Sequence, residues 1–148
     1  MSTPALRALR AGHPGAEIVV AGRPSIADLV RGLPSVDRFL PAPGAGLKPL
    51  VAYAAGLRAE SFDWAVLLPD SARAAVGPFL ARIPVRAGYA RDALRRALLT
   101  HALPPPQEGG KRVPISMIER YQLITRTLGC ADAGIETEVP VLPDARSR

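Results

Sequence analysis

Trp64-Ala65-Val66-Leu67-Leu68, followed at once by Pro69-Asp70-Ser71, is the stretch on which the reading of this 148-residue chain turns. Five apolar residues in a row do not alternate with polar ones, so neither face of the strand they predict is built for water. Runs of this kind belong to parallel strands covered by helices on both sides. The Pro-Asp-Ser turn opens a helix over Ala72–Arg82, with Asp70 or Ser71 as its N-cap. A strand, a tight turn and a helix make the first half of a βαβ unit.

The same alternation continues in both directions. Downstream, Val85–Tyr89 reads as a further strand and Pro114–Leu128 as a long helix closed by Gly129. Between them Arg91–Pro106 is ambiguous. Its first half has helical spacing, and Leu98–Leu103 could pair as a short strand. Upstream, Leu47–Ala59 carries apolar residues at helical spacing, Pro41–Gly46 is a loop, and Val36–Leu40 is a weak strand. Ser25 is placed to cap a short helix over Ile26–Arg31, and Glu17–Ala21 is a β-branched strand between Gly15 and Gly22. Pro4–Ala11 reads as a short helix, with Thr3 before it as a candidate N-cap. The fold class is therefore α/β, a Rossmann-like, mostly parallel sheet with flanking helices. Such domains open on a strand placed centrally in the sheet. This chain opens on a helix, so its N-terminus reads as cut.

Composition narrows the function. The chain is 48% apolar and 22% charged, which suits a folded domain of the commonest size. The longest run without a charge, Ala97–Gln107, contains three prolines and is too short to span a bilayer, which takes about 20 residues. Arg7 and Arg10 interrupt what would be the apolar stretch of a signal peptide. These features point to a soluble chain, or one that touches a membrane from the side. One cysteine, Cys130, excludes an internal disulfide framework and is read as a buried apolar residue. No dinucleotide or P-loop glycine pattern occurs, and Gly44-Ala45-Gly46 is only a turn. His13, His101 and Cys130 lack metal-ligand spacing, so neither a metal nor a cofactor is expected. No Ser/His/Asp set is defensible.

Charge is concentrated. Between Arg73 and Arg112 there are eight basic residues against Asp92 and Glu108, which is the whole of the net +6; elsewhere 11 basic residues balance 11 acidic ones. Arg86, Arg91, Arg95 and Arg96 flank Tyr89, and arginine suits bidentate binding of phosphate or carboxylate. Arginine outnumbers lysine 17 to 2 throughout, so part of this is compositional bias. Bias does not explain why acidic residues thin out in this one segment. At the turn, Ser71 and the backbone N–H groups after it would face an anion or a sugar hydroxyl, or Ser71 simply caps the helix.

The order of the pieces resembles one family. LLPDSARAAVGPFLARIPVRAGYARD (67–92), RRALLTHALPPP (95–106) and KRVPISMIERYQLITRTLG (111–129), with PALRALRAGHPGAEIVVAGRPSIADLVRGLPSVDRFLP (4–41) upstream, are similar to glycosyltransferase family 9. These are the ADP-heptose–lipopolysaccharide heptosyltransferases, with the heptosyltransferase II group nearest. The carrying motifs are Leu-Pro-Asp-Ser at 68–71, Ile-Pro-x-Arg-x-Gly-Tyr at 83–89, Leu-Leu-Thr-His at 98–101 and Glu-Arg-Tyr at 119–121. The resemblance implies the N-terminal half of a GT-B fold, with residues 1–138 as the acceptor-side domain and 139–148 as the start of an interdomain linker. It implies ADP-heptose as donor, bound by a C-terminal domain not represented here, and lipid A–core oligosaccharide as acceptor. It places the work at the inner face of the cytoplasmic membrane, with no nucleic acid. Ser71, Arg73, Arg86, Tyr89, Arg91 and Arg95 match acceptor-side positions, and Ala72 replaces a usual aromatic. The family's first strand, ending in a Gly-Asp whose Asp is the proposed general base, has no counterpart here, so no catalytic residue is assigned.

The competing class is a stand-alone basic α/β module for nucleic acid or an anionic membrane. Aromatic residues make up only 5% and are not interleaved with the basic ones, which argues against nucleic acid. Two structural expectations follow. Arg73, Arg86, Arg91 and Arg95 should converge beside Ser71. Glu17–Ala21 and Trp64–Leu68 should either keep a gap or close up and pair directly, which leaves the sheet strained or gapped.

Overall fold

The computed structural model describes residues 2–108 and 111–138; the expected linker at 139–148 lies outside them. The parallel strands fall into two sheets. In the first, β1 (Val19–Gly22) pairs with β2 (Arg38–Pro41), Val19 facing Arg38. In the second the order is β3 (Trp64–Leu67), β4 (Val85–Tyr89), β5 (His101–Leu103), with Trp64 facing Val85 and Ala87 facing His101. β1 and β3 are not hydrogen-bonded to each other, so the expected break is present.

Helices connect the strands as the alternation requires. α1 (Thr3–Gly12) precedes β1, α2 (Ala27–Arg31) joins β1 to β2, and α3 (Leu47–Ala59) leads to β3. α4 (Ala72–Leu80) and α5 (Ala93–Leu98) are the crossovers of the second sheet. After β5 a short antiparallel hairpin, β6 (Gln107–Glu108) and β7 (Lys111–Arg112), precedes α6 (Met117–Thr127). Arg91–Pro106 thus resolves into α5 and β5. The hairpin has no strand-like pattern in the sequence.

The apolar run at 64–68 is covered on both faces, for the alternation that a strand imposes. Leu67 packs with Ala75 of α4 and with Leu98 and Leu99, and Ala65 lies on the same side. Val66 and Leu68 turn the other way, onto the cluster of Ala87, Tyr89 and Ile124 from α6. A third cluster, Leu57, Ala81 and Ile83, gathers Leu40 of β2 against Ala65 and so ties the two sheets together through α3. Among the described residues, however, β3 is an edge strand hydrogen-bonded to β4 alone, and Trp64 is 39% exposed. Its ring meets His13 edge-on, with centroids 4.6 Å apart.

Several element ends differ from the sequence reading, each for a local reason. β1 starts two residues late because Ile18 is engaged elsewhere: its N–H donates to the Asp37 carboxylate and its carbonyl accepts from the Asp37 and Arg38 amides. Ser25 caps nothing, since Pro24 begins a 3₁₀ turn over Pro24–Ile26. Thr3 is helical rather than a cap, and its hydroxyl accepts from the Glu138 amide at 3.0 Å. α4 stops at Leu80, two residues early, with Arg82 left-handed at φ 59° just beyond it. The segment after α6 returns to α1, where Arg7 pairs with Glu138 at 2.8 Å and donates to the Ala133 carbonyl.

Candidate functional site

Parallel βα units put every helix N-terminus at the carboxyl end of the strands, and ligands of such sheets bind there. In this chain that end is built with side-chain caps. The Ser71 hydroxyl accepts from the Ala74 amide at 3.4 Å, the Asp92 carboxylate from the Arg95 amide at 2.8 Å, and the Ser116 hydroxyl from the Glu119 amide at 3.1 Å. α1, α2 and α3 have no such bond.

Ser71 taking the cap releases Asp70, which the sequence offered as an alternative cap. Its carboxylate instead accepts from Arg120 of α6 at 2.6 Å. The Arg120 guanidinium lies over the Tyr89 ring, 4.7 Å from its centroid, and the Tyr89 hydroxyl donates to the Arg120 carbonyl at 3.1 Å. Arg120 Nε is buried and has no hydrogen-bond partner among the described residues. Asp70, Arg91 and Arg120 form the polar side of a cleft of about 350 Å³; Pro105, Pro106, Pro114, Ile115 and Met117 contribute to its apolar side. Arg91 is exposed, and among the described residues it forms no ion pair. One wall is therefore cationic with a single carboxylate set into it, and the other is apolar.

Arg95 lies beneath this cleft rather than in it. Its side chain is fully buried (0% exposed) and donates to three carbonyls, those of Pro69 (2.6 Å), Ser71 and Tyr89. A planar guanidinium with fixed donors can satisfy three oxygens at once, two in the β3–α4 turn and one at the end of β4. Burial lowers its pKa, and Asp70 and Asp92 oppose that shift. Gly88 makes room for it: a Cβ there would sit 2.9 Å from the Leu67 carbonyl and 3.2 Å from Arg95 Nη2. Arg95 thus fixes the turn that holds Asp70 and Ser71, without reaching a ligand itself.

The six sequence-predicted residues divide accordingly. The structure brings Ser71, Tyr89, Arg91 and Arg95 to the carboxyl end. Of these, Tyr89 is 2% exposed and buried under Arg120, and burial raises its pKa. Arg73 turns away to the Gly44 carbonyl and ties α4 to the 41–46 loop. Arg86 is not brought there. It sits at the amino end of β4, donates to the Leu98 carbonyl at 2.7 Å and to that of Ile83, and stacks on Phe79 at 5.4 Å. The expected convergence of four arginines on Ser71 is corrected by strand geometry: Arg86 is the second residue of β4 and Arg91 lies beyond its end, roughly 16 Å along the chain at about 3.3 Å per residue. The residue that sequence reasoning missed is Arg120. Its only signal was the Glu119-Arg120-Tyr121 motif.

No protein-family model matches this chain, and no curated protein matches it. Solved structures do. The E. coli ADP-heptose LPS heptosyltransferase II is similar at a TM-score of 0.69 and 25% identity, over 96% of this chain and 41% of that one. A glycosyl transferase family 9 protein from Veillonella parvula matches at a TM-score of 0.72 over 93% of this chain and 40% of its own, and at 17% identity it speaks for the fold alone. The chain spans about two fifths of the length of the structures it matches. Over almost all of its own length, then, this chain is similar to part of a heptosyltransferase and shares the α/β fold of the family 9 glycosyltransferases.

Proposed function

We propose that this chain is the acceptor-binding part of a glycosyltransferase resembling the enzymes that transfer heptose from ADP-heptose to the lipopolysaccharide inner core. The carrying observation is the cleft at the carboxyl end of β3–β5, where Arg91 and Arg120 flank Asp70. Two guanidiniums suit an oxyanion, because charge-assisted N–H···O⁻ bonds are about twice as strong as neutral ones. A carboxylate between them would repel a simple anion but accepts from hydroxyls. The pattern fits a phosphorylated or carboxylated sugar, whose ring lies on the proline wall. A lipid A–core acceptor has that chemistry, and its lipid anchor places the work at the inner face of the cytoplasmic membrane.

In this reading Arg91 and Arg120 hold the acceptor's anionic group, Asp70 orients a hydroxyl, and Ser71 fixes the start of α4. These residues are assigned the acceptor side alone, and by themselves they are expected to transfer no heptose. Binding is the test. A phosphorylated core oligosaccharide, titrated into the chain by calorimetry or NMR, should bind, and Arg91→Gln should weaken binding roughly tenfold or more, since a hydrogen bond to a charged group contributes about 1.5–3 kcal/mol. Equal affinity for both forms would overturn the assignment.

A further inference from the structure

The basic segment that marks the sequence does not all serve the cleft. Arg82 and Arg86 stand at the opposite end of the second sheet, where the C-termini of α3 and α4 meet. With Arg58 of α3 they surround an open depression of about 500 Å³ whose remaining lining is Phe79 and Leu80. Those two side chains are 42% and 44% exposed, adjacent, and at the end of α4. Among the described residues no carboxylate lines the depression, and none of its three arginines forms an ion pair.

Part of this charge answers the helices themselves. Each helix C-terminus carries roughly −0.5 charge, about −1 for the two. Three guanidiniums leave a clear positive excess. Arg82 adds a second mark. It occupies the left-handed position after α4, at φ 59°, where glycine is the usual residue, and its amide closes the turn onto the Phe79 carbonyl. An arginine is held here in a conformation that disfavours any side chain.

We infer that this amino-end depression is a docking surface for an anionic lipid membrane, with Arg58 and Arg82 on lipid phosphates, Arg86 held at its floor by the Leu98 and Ile83 carbonyls, and Phe79 with Leu80 in the interfacial layer. Charge complementarity and the paired exposed hydrophobes select that partner. Cations alone would suit any anion, while a shallow hollow lined by five residues takes a headgroup and leaves no groove for an extended acidic peptide. Seated there, the chain holds its cleft about one strand length, roughly 15–20 Å, from the lipid. The surface lies at the other end of the sheet from the acceptor cleft and is tested without sugar, so the two assignments fail separately.

The test is co-sedimentation of the purified chain with vesicles of phosphatidylglycerol and phosphatidylcholine in about equal parts, and of phosphatidylcholine alone, at physiological ionic strength. Binding is expected to the first only. Arg58→Gln with Arg82→Gln should weaken it roughly 30-fold, about fivefold per cation, whereas Arg23→Gln with Arg96→Gln, which removes the same charge elsewhere, should leave it within about twofold. Phe79→Ser should weaken it with the charge intact. Arg82→Gly separates docking from folding: glycine suits the backbone, so the melting temperature should rise by a few degrees while vesicle binding falls about fivefold. Equal losses from both double variants would mean adsorption by net charge and overturn the proposal. So would binding to phosphatidylcholine alone, or poly-glutamate competing from the same residues as tightly as the vesicles. Inorganic phosphate should shift the Arg58 and Arg82 side-chain resonances only weakly; saturation by phosphate alone would reassign the hollow to a free anion and overturn the lipid.

Discussion

The pair β1–β2 and the sheet β3–β4–β5 are made of the same βα units, yet they are held by different means. Neither β1 nor β2 contains a fully buried residue. Around them the fixed points are exposed ion pairs: Asp37 with Arg10, and Arg38 between Glu17 at 2.5 Å and Glu60 at 2.6 Å. The second sheet buries Leu67, Ala87, Gly88 and Tyr89 and is clamped from below by Arg95. Its helices α4 and α5, and α6 above it, begin on side-chain caps. Exposed ion pairs contribute little each, about 0–1 kcal/mol, while a buried and fully bonded polar group is costly to disturb. Rigidity is thus concentrated where the cleft is.

Removing the clamp should have the largest effect. Arg95→Ala removes the side-chain donor from the Pro69, Ser71 and Tyr89 carbonyls, of which that of Ser71 keeps the Ala74 amide, and leaves a cavity under the β3–α4 turn. We expect a loss of about 3 kcal/mol or more, measured by urea unfolding, against a usual total of about 5–15 kcal/mol. Arg95→Lys should recover only part of it, because one ammonium cannot reproduce the planar fork. A loss below about 1 kcal/mol for Arg95→Ala would show that the second sheet does not depend on it.

The next comparison is local opening. Amides of Ala87–Tyr89 should exchange at least roughly 100-fold more slowly than those of Val19–Gly22, since elements with few buried contacts open well below the global limit. β1 and β3 each keep an unpaired edge toward the break, and unpaired edges also invite association. Strong, uniform protection of both Val19–Val20 and Val66–Leu67 in a monomer would erase the difference between the sheets.

The sequence made the first of these regions harder to read than the second, for physical reasons. α3 and β4 match their sequence ranges to the residue, because Leu47–Ala59 is strongly periodic and Val85–Tyr89 is bounded by a proline at one side and polar residues at the other. The two-sided burial of 64–68 followed from its lack of polar positions. In the first sheet, β1 and β2 are short, and their ends are set by the Asp37 carboxylate reaching back to Ile18, a contact 19 residues apart that no local pattern encodes. At the cleft, Asp70 looks like a cap because caps are local. Its partner Arg120 lies 50 residues on, and only the packing of α6 brings the two together. The arginine cluster was visible as charge, but charge count does not say which end of a strand a residue occupies. The strand assignment did: with β4 at 85–89, Arg86 and Arg91 had to fall at opposite ends.

Acid should separate the two sheets by the smallest margin. The Asp37 carboxyl is held below the usual carboxylate range first by the Ile18 amide and then by Arg10, and Glu60 is held low by Arg38. A carboxyl whose folded pKa is depressed stabilises the fold fully above its unfolded value, near 4, and loses that contribution as pH falls through the folded value. The loss therefore begins below about pH 4 and lies around β1–β2, where both groups sit. Asp132, held low by Arg126, titrates in the same window but belongs to the turn after α6. Because these carboxyls are exposed, the effect is modest and salt should mimic part of it by screening the pairs. Amide shifts and exchange followed from pH 7 to about pH 3 should show Ile18–Gly22 and Arg38–Pro41 loosening while Ala87–Tyr89 stays protected. Simultaneous loss in both sheets at one pH would mean that the exposed pairs do not govern the first sheet, and that α3 couples the two sheets into a single cooperative unit.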